Sequence, residues 1–156
     1  NADEVTYNLH IVLRFELERD VVSGRLALRD LPEAFDAKLE EYLGLRPPDL
    51  KHGVLQDVHW SDGSFGYFPT YALGNVIAVQ IWERAIADLG DLDEQFARGE
   101  FGELRDWLRE RVHRHGRKFM PRETLERAVG RPIDAAPYLA YLQRKLTDLY
   151  GVGAAI

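Results

Sequence analysis

Cysteine is absent from this sequence of 156 residues, which excludes disulfides and thiolate zinc sites and slightly favours a cytoplasmic location. No apolar run reaches the roughly 18 residues that a membrane-spanning helix needs, so no membrane segment is predicted. Basic residues are in the minority, with 20 lysines and arginines against 26 aspartates and glutamates. Because nucleic-acid binding depends on neutralising phosphates, this acidic chain is not expected to bind nucleic acid.

Period-two alternation is also nearly absent, whereas apolar residues at helical spacing dominate and predict an all-α chain. Neither a repeat nor a linker interrupts residues 1–156, so we expect a single domain, although Asn1 and Ala2 are also open to interpretation as remnants of cloning. One helix is predicted between a capping Asp30 and a terminating Gly44. The other predicted helices cover residues 3–22, 70–89, 92–98, 101–115, 121–129 and 134–150.

A line of polar residues crosses the first predicted helix. Asp3, Tyr7, His10 and Arg14 follow one another at offsets of four, three and four, so they share one helix face. Polar side chains on an otherwise apolar helix must find partners or face a wet cleft. Two interpretations therefore remain open: an internal hydrogen-bond network and the wall of a cleft.

Residues 53–71 interrupt the helical pattern with three glycines and a proline, and we predict a long, shaped loop there. Large aromatic residues alternate with polar ones in this loop, as in many binding sites. Asp57 and His59 are close enough to pair, and the Tyr67 phenol could donate to a developing oxyanion. The alternative is a packed turn in which the aspartate and the histidine satisfy buried backbone groups.

Residues 53–60 read GVLQDVHW, which resembles the G-x-x-Q-D-x-H-W signature of the carboxypeptidase Taq metallopeptidases. Residues 2–3 resemble the end of that family's I-R-x-x-A-D segment. The agreement continues through Gly66-Tyr67-Phe68-Pro69 to residues 149–151, so the resemblance covers essentially the whole chain.

The resemblance implies the C-terminal part of a zincin-like (neurolysin-like) helical bundle. Members of the family are zinc- or cobalt-dependent, release single residues from peptide C-termini and are usually dimeric. Their His-Glu-x-x-His helix holds the metal, and its glutamate activates the metal-bound water. This sequence contains no such motif, so we expect the ligands in the missing N-terminal part of the same protein. This chain alone is expected to bind no metal and to be inactive.

The five histidines give no independent reason to predict a metal site. His113 and His115 are two positions apart on a predicted helix, a spacing that does not place them on one face. A structural or surface role is therefore the favoured interpretation, and no metal ligand is assigned to this chain.

The resemblance also assigns site residues, with His59 and Tyr67 as catalytic groups that contact the tetrahedral intermediate or the substrate carboxylate. The alternative is a non-catalytic helical module that binds other proteins through residues 53–71. A partial bundle should expose apolar faces, so self-association is expected. The residues assigned to substrate binding are Gln56, Asp57, Trp60, Asp3 and Tyr7.

Overall fold

Helices are the only regular elements among residues 3–151, which are the residues that the computed structural model describes. The all-α prediction is confirmed, and Asn1 and Ala2 lie outside the described residues. Single 3-10 turns cover Leu28–Asp30, Val54–Gln56 and His113–His115. The α-helices are α1 (Tyr7–Val22), α2 (Leu31–Leu43), α3 (Val58–Ser61), α4 (Pro69–Leu89), α5 (Asp93–Ala97), α6 (Gly102–Arg111), α7 (Pro121–Val129) and α8 (Ala136–Tyr150).

Contacts along the chain divide it into two compact units, and the division falls inside α4. The first unit ends at Leu73 and the second begins at Gly74. The expectation of a single domain is not tested by this division and stays a prediction. None of the helices in the described part of the chain is long and apolar enough to cross a membrane.

The first unit is held together by the packing of α1 against α2. Leu13 and Leu17 are one turn apart on α1 and are at most 2% exposed, because they face the apolar side of α2. At the edge of this contact, Glu16 accepts a hydrogen bond of 2.7 Å from Tyr42 and pairs with Lys38 at 2.5 Å. The core of this unit consists of Leu13, Leu17, Phe35, Leu39 and Val54.

Helix α1 begins at Tyr7, four residues later than the apolar pattern predicts. In the turn that leads into it, the Asp3 carboxylate accepts hydrogen bonds from the Thr6 N–H at 2.8 Å and the Thr6 hydroxyl at 3.0 Å, as the side chain of a helix-capping residue does. These bonds hold residues 4–6 in a turn and lower the pKa of Asp3. Helix α2 ends as predicted at Gly44, which has a φ of 65°. At its start, however, the Asp30 side chain caps no N–H of the described chain.

The second unit is organised around the C-terminal part of α4 and the helix α7. Leu125, Ala128 and Val129 form its buried cluster against Ile77, Ile81 and Val112. Gln80 is 0% exposed, and both ends of its amide are used. Its Nε2 donates to the Pro132 carbonyl at 3.0 Å, and its Oε1 accepts from the Asp134 N–H at 3.0 Å. One side chain thus fixes the segment that leads into α8.

Candidate functional site

The segment from Gly53 to Tyr71 is more regular than the sequence predicts. A 3-10 turn at Val54–Gln56 and the short helix α3 occupy its first half, so the prediction that glycine and proline exclude regular structure there is wrong. Asp57 joins the two elements with an extended backbone (φ −85°, ψ 111°), and its carboxylate accepts from the His59 N–H at 2.9 Å. A side chain that caps the first turn is what allows so short a helix to form.

A cavity of about 510 Å³ opens between α1, α2 and this segment in the first unit. Tyr7, His10 and Arg14, three members of the predicted polar stripe, line one side of it. The stripe therefore forms a cleft wall, and it also makes internal hydrogen bonds. The lining also includes Gln56, Asp57, His59 and Tyr71.

Four side chains on the cavity wall form one connected network. The Arg14 Nε lies 2.6 Å from the Asp57 Oδ2, and the Asp57 Oδ1 lies 3.2 Å from the His59 Nδ1. The other ring nitrogen of His59, Nε2, lies 3.0 Å from the Tyr71 hydroxyl. Arg14 is held in turn by the His10 carbonyl, which accepts from its Nη1 at 2.8 Å. The predicted pairing of Asp57 with His59 is therefore confirmed.

The chemistry of the partners fixes the proton positions in this network. A carboxylate can only accept, so the Nδ1 of His59 carries the proton that faces Asp57. The Nε2 of the neutral imidazole is then an acceptor, and the Tyr71 hydroxyl donates to it. Asp57 thereby selects the tautomer of His59 and keeps its ring in place beside the cavity.

Burial shapes the charges at the cavity wall. Loss of hydration lowers the pKa of His10, and the nearby Arg14 cation lowers it further. Burial raises the pKa of Tyr71, as do the neighbouring Tyr67, Tyr7 and Asp57. Both groups are therefore neutral at pH 7, and the Arg14 guanidinium supplies positive charge on this wall opposite the Asp57 carboxylate.

Three aromatic rings contact the His59 ring, namely those of Tyr67, Phe68 and Tyr71. The Phe68 ring, 1% exposed, lies 5.0 Å from the imidazole, and the Tyr67 ring stacks on it at 6.1 Å with an interplanar angle of 23°. Tyr67 is 48% exposed, so its phenol can be reached from solvent. It also packs edge-on against Tyr71, with ring centroids 5.2 Å apart. The two residues predicted to be catalytic, His59 and Tyr67, are therefore neighbours.

The other predicted site residues are placed differently from one another. Tyr7, Gln56 and Asp57 line the cavity, and the Gln56 amide also donates to the Lys51 carbonyl. Trp60 instead packs against the core of the first unit, and Asp3 is exposed and bonds to Thr6. These positions do not test the substrate-binding roles, which stay predictions.

Sequence reasoning missed three polar residues of this region, namely Arg14, Glu18 and Tyr71, when it assigned the site. Arg14 was within reach, since it belongs to the polar stripe, and one more step of four along the same helix leads to Glu18. Glu18 is only 6% exposed. Tyr71 lies at the start of α4, and only the fold brings its hydroxyl to His59.

The sequence predicts no metal ligand in this chain, and the positions of its His, Asp and Glu side chains can be compared with that prediction. Among residues 3–151, no group of three or more His, Asp or Glu side chains is placed to hold a metal ion. The described residues therefore do not fit a metal centre of the kind that the resemblance implies for the whole protein. Whether this chain binds a metal stays a matter of prediction.

Comparison with known proteins identifies relatives over nearly the whole chain. The family model described as carboxypeptidase Taq (M32) metallopeptidase matches residues 1–146, which confirms the resemblance drawn from the signature at residues 53–60. Thermostable carboxypeptidase 1 of Thermus thermophilus is 53% identical over 150 residues, which are 96% of this chain. Thermostable carboxypeptidase 1 of Pyrococcus furiosus is 43% identical over 144 residues, or 92% of this chain.

A solved structure agrees with these matches. The crystal structure of an M32 carboxypeptidase from Deinococcus radiodurans has a TM-score of 0.93 and 50% identity over 97% of this chain, which is 31% of that protein. The chain likewise spans 29% of the length of both the Thermus and the Pyrococcus relatives. The similarity therefore concerns somewhat less than a third of a longer protein.

Proposed function

Because this chain belongs to the carboxypeptidase Taq (M32) metallopeptidase family, we propose that it forms the substrate-binding side of a zinc- or cobalt-dependent carboxypeptidase. The whole protein would release single amino acids from peptide C-termini. The metal and the water that it activates are assigned to residues outside 3–151, and no step at the metal is assigned to this chain. The observation that carries the proposal is the connected network Arg14–Asp57–His59–Tyr71 on a cavity wall.

The groups that line the cavity suit the charged end of a peptide. A terminal carboxylate is an anion, and the Arg14 guanidinium and the Tyr7 phenol offer it a cation and a hydrogen-bond donor. In this proposal His59 and Tyr67 contact the tetrahedral intermediate or the substrate carboxylate. The phenol of Tyr67 can donate to an oxyanion, and its partial exposure leaves it open to substrate.

The test is a chimera in which this chain replaces the matching 150 residues of the Thermus thermophilus relative. With zinc or cobalt, the chimera should release C-terminal amino acids from N-blocked peptides, and the isolated chain should release none. Turnover by the isolated chain would contradict the proposed division of labour. A chimera that is folded and binds metal but is inactive would favour the non-catalytic module instead.

Single substitutions in the chimera test the two catalytic assignments. His59→Ala and Tyr67→Phe should each lower kcat/KM by about 100-fold or more, since each removes a group proposed to act on the transition state. Tyr42→Phe is the matched control, because Tyr42 bonds to Glu16 at the edge of the α1–α2 contact. Wild-type activity in both His59→Ala and Tyr67→Phe would refute the assignment.

The setting of the whole protein is part of the same proposal. We assign it to the cytoplasm as a homodimer that acts on peptides, without a nucleic-acid or membrane partner. The absence of cysteine supports the location, and the net charge of −6 supports the lack of a nucleic-acid partner. Fractionation of cells that express the tagged whole protein tests the location, and recovery in the extracellular medium would contradict it.

A further inference from the structure

Glu18 is a buried carboxylate that the proposed function does not use. Its side chain accepts from the Trp60 indole N–H at 3.0 Å through Oε2 and from the Gly66 N–H at 2.5 Å through Oε1. From these contacts we infer that Glu18 is a positioning residue, which holds the turn from Trp60 to Gly66 so that Tyr67 stacks on His59. The inference rests on the proposed role of Tyr67.

Burial makes these two hydrogen bonds consequential. A carboxylate that is 6% exposed has lost most of its hydration, so its oxygens depend on the donors that the protein provides. The two donors come from opposite ends of one turn, residues 60 and 66, while Glu18 itself belongs to the rigid helix α1. The carboxylate therefore closes the turn and ties it to the core of the first unit.

The attachment point lies directly before Tyr67. Gly66 has a φ of 76°, a conformation that glycine adopts readily and other residues rarely do. Glu18 holds the N–H of this glycine, and the carbonyl of the following residue, Tyr67, accepts from the Thr70 hydroxyl at 2.6 Å and the Thr70 N–H at 3.0 Å. The backbone of Tyr67 is thus fixed on both sides, and only the first of these attachments reaches α1.

Trp60 links the same carboxylate to the rings around His59. The Trp60 ring packs edge-on against Phe68 with centroids 5.8 Å apart, and Phe68 in turn lies 5.0 Å from the His59 ring. Movement of the indole would therefore reach His59 through Phe68. Both contacts of Glu18 therefore support one arrangement, the stacking of Tyr67 on His59.

The test is Glu18→Gln in the chimera. Glutamine has nearly the same shape but a single acceptor oxygen, so its NH2 group faces one of the two donors and one hydrogen bond is lost. We expect kcat to fall about 10- to 100-fold through misplacement of Tyr67, with KM changed by no more than about twofold. Glu16→Gln on the same helix is the matched control, since Glu16 bonds to Lys38 and Tyr42 instead. It should leave both constants unchanged.

A double mutant separates positioning from general stability. If Glu18 acts through Tyr67, Glu18→Gln combined with Tyr67→Phe should be no less active than Tyr67→Phe alone. If the two losses in kcat simply multiply, Glu18 does not act through Tyr67 and the inference is overturned.

A spectroscopic measurement distinguishes failure of this inference from failure of the proposed function. In the chimera labelled with 3-fluorotyrosine, the ¹⁹F resonance of Tyr67, assigned from Tyr67→Phe, should move in Glu18→Gln and stay in place in Glu16→Gln. Should Glu18→Gln fail to fold, Trp60→Phe removes the indole donor of the same contact and keeps an aromatic ring at this position, and it should move the same resonance. An unmoved Tyr67 resonance in the folded variant overturns the inference. A moved resonance together with full activity of Tyr67→Phe supports positioning and refutes the catalytic role of Tyr67.

Discussion

Asp57 contacts His59 twice with the same oxygen atom. Its Oδ1 accepts from the His59 backbone N–H at 2.9 Å and lies 3.2 Å from the Nδ1 of the His59 ring. One carboxylate oxygen therefore both starts the helix α3 and orients the imidazole that this helix carries. Because the other oxygen is held by Arg14 at 2.6 Å, the position of the ring is tied to α1.

Asp57→Asn should separate these tasks. The asparagine oxygen can still cap α3 and accept from the His59 Nδ1, but its NH2 group cannot accept from Arg14, so the His59 ring is no longer tied to α1. We expect kcat/KM of the chimera to fall about 10- to 100-fold with little loss of helix content. Steady-state kinetics and circular dichroism would measure the two effects.

The control for this variant is Asp62→Asn. Asp62 follows α3 directly and is exposed, so the substitution removes an acidic charge from the same segment without touching the network. It should keep wild-type kinetics. Equal activity of Asp57→Asn and Asp62→Asn would mean that the network does not serve the reaction.

His10 should make the chain less stable in mild acid. Burial and Arg14 lower its pKa in the folded state below the value of 6.5 expected in the unfolded state. As the pH falls below about 6.5, the unfolded chain takes up a proton more readily than the folded one, so the free energy of unfolding decreases. The decrease ends once the pH is below the folded-state pKa.

His10→Gln removes this contribution. Between about pH 7.5 and about pH 5 the melting temperature of the wild-type chain should fall more than that of His10→Gln. Thermal unfolding followed by circular dichroism would measure the difference, and His113→Gln controls for the loss of a histidine as such. Parallel pH profiles for the wild type and His10→Gln would contradict the prediction.

Leu13 should contribute more to stability than Leu9 on the same helix. Leu13 is 0% exposed in the core of the first unit, whereas Leu9 is 39% exposed. Leu13→Ala should lower the free energy of unfolding by about 2–5 kcal/mol, because it leaves a cavity. Leu9→Ala should cost about 1 kcal/mol or less. Urea unfolding measures both, and equal losses would contradict the assignment of the core.

The purified chain should self-associate. Leu9 and Val12 are three residues apart near the start of α1, Val5 lies in the turn before it, and each is about 40% exposed. Sedimentation equilibrium should show an average mass that rises with concentration and that falls in Val12→Lys. Leu28→Lys, on the 3-10 turn before α2, is the control. A strictly monomeric chain over a broad concentration range would refute this prediction.

Local signals in the sequence were sufficient for much of the fold. The helical spacing of apolar residues predicted the all-α class. Gly44 predicted the end of α2, because the residue that ends a helix often has a positive φ, which glycine adopts most easily. The start of α1 was placed four residues too early, because residues 4–6 form a turn in which the Asp3 carboxylate accepts from the Thr6 N–H. Hydrogen bonds of this kind cannot be recognised from the spacing of apolar residues.

In the candidate site, too, contacts between residues close in sequence could be predicted, whereas contacts between distant residues could not. Asp57 and His59 are two residues apart, so their pairing could be predicted from spacing. The contacts of Glu18 with Trp60 and Gly66 join residues 42 and 48 positions apart, and no local rule reveals them. The placement of Trp60 against the core, rather than on the cavity wall, likewise depends on the tertiary fold.

Gln80 restricts which residues are tolerated in the segment after α7. The amide needs a carbonyl at position 132 and an N–H at position 134. Proline meets the first requirement, since it keeps its carbonyl, but it would fail at position 134, where the donor is indispensable. Positions 132 and 134 lie in the same loop, yet proline is compatible with the first and not with the second. The difference comes from the hydrogen bonds of Gln80, which lies about fifty residues earlier in the sequence.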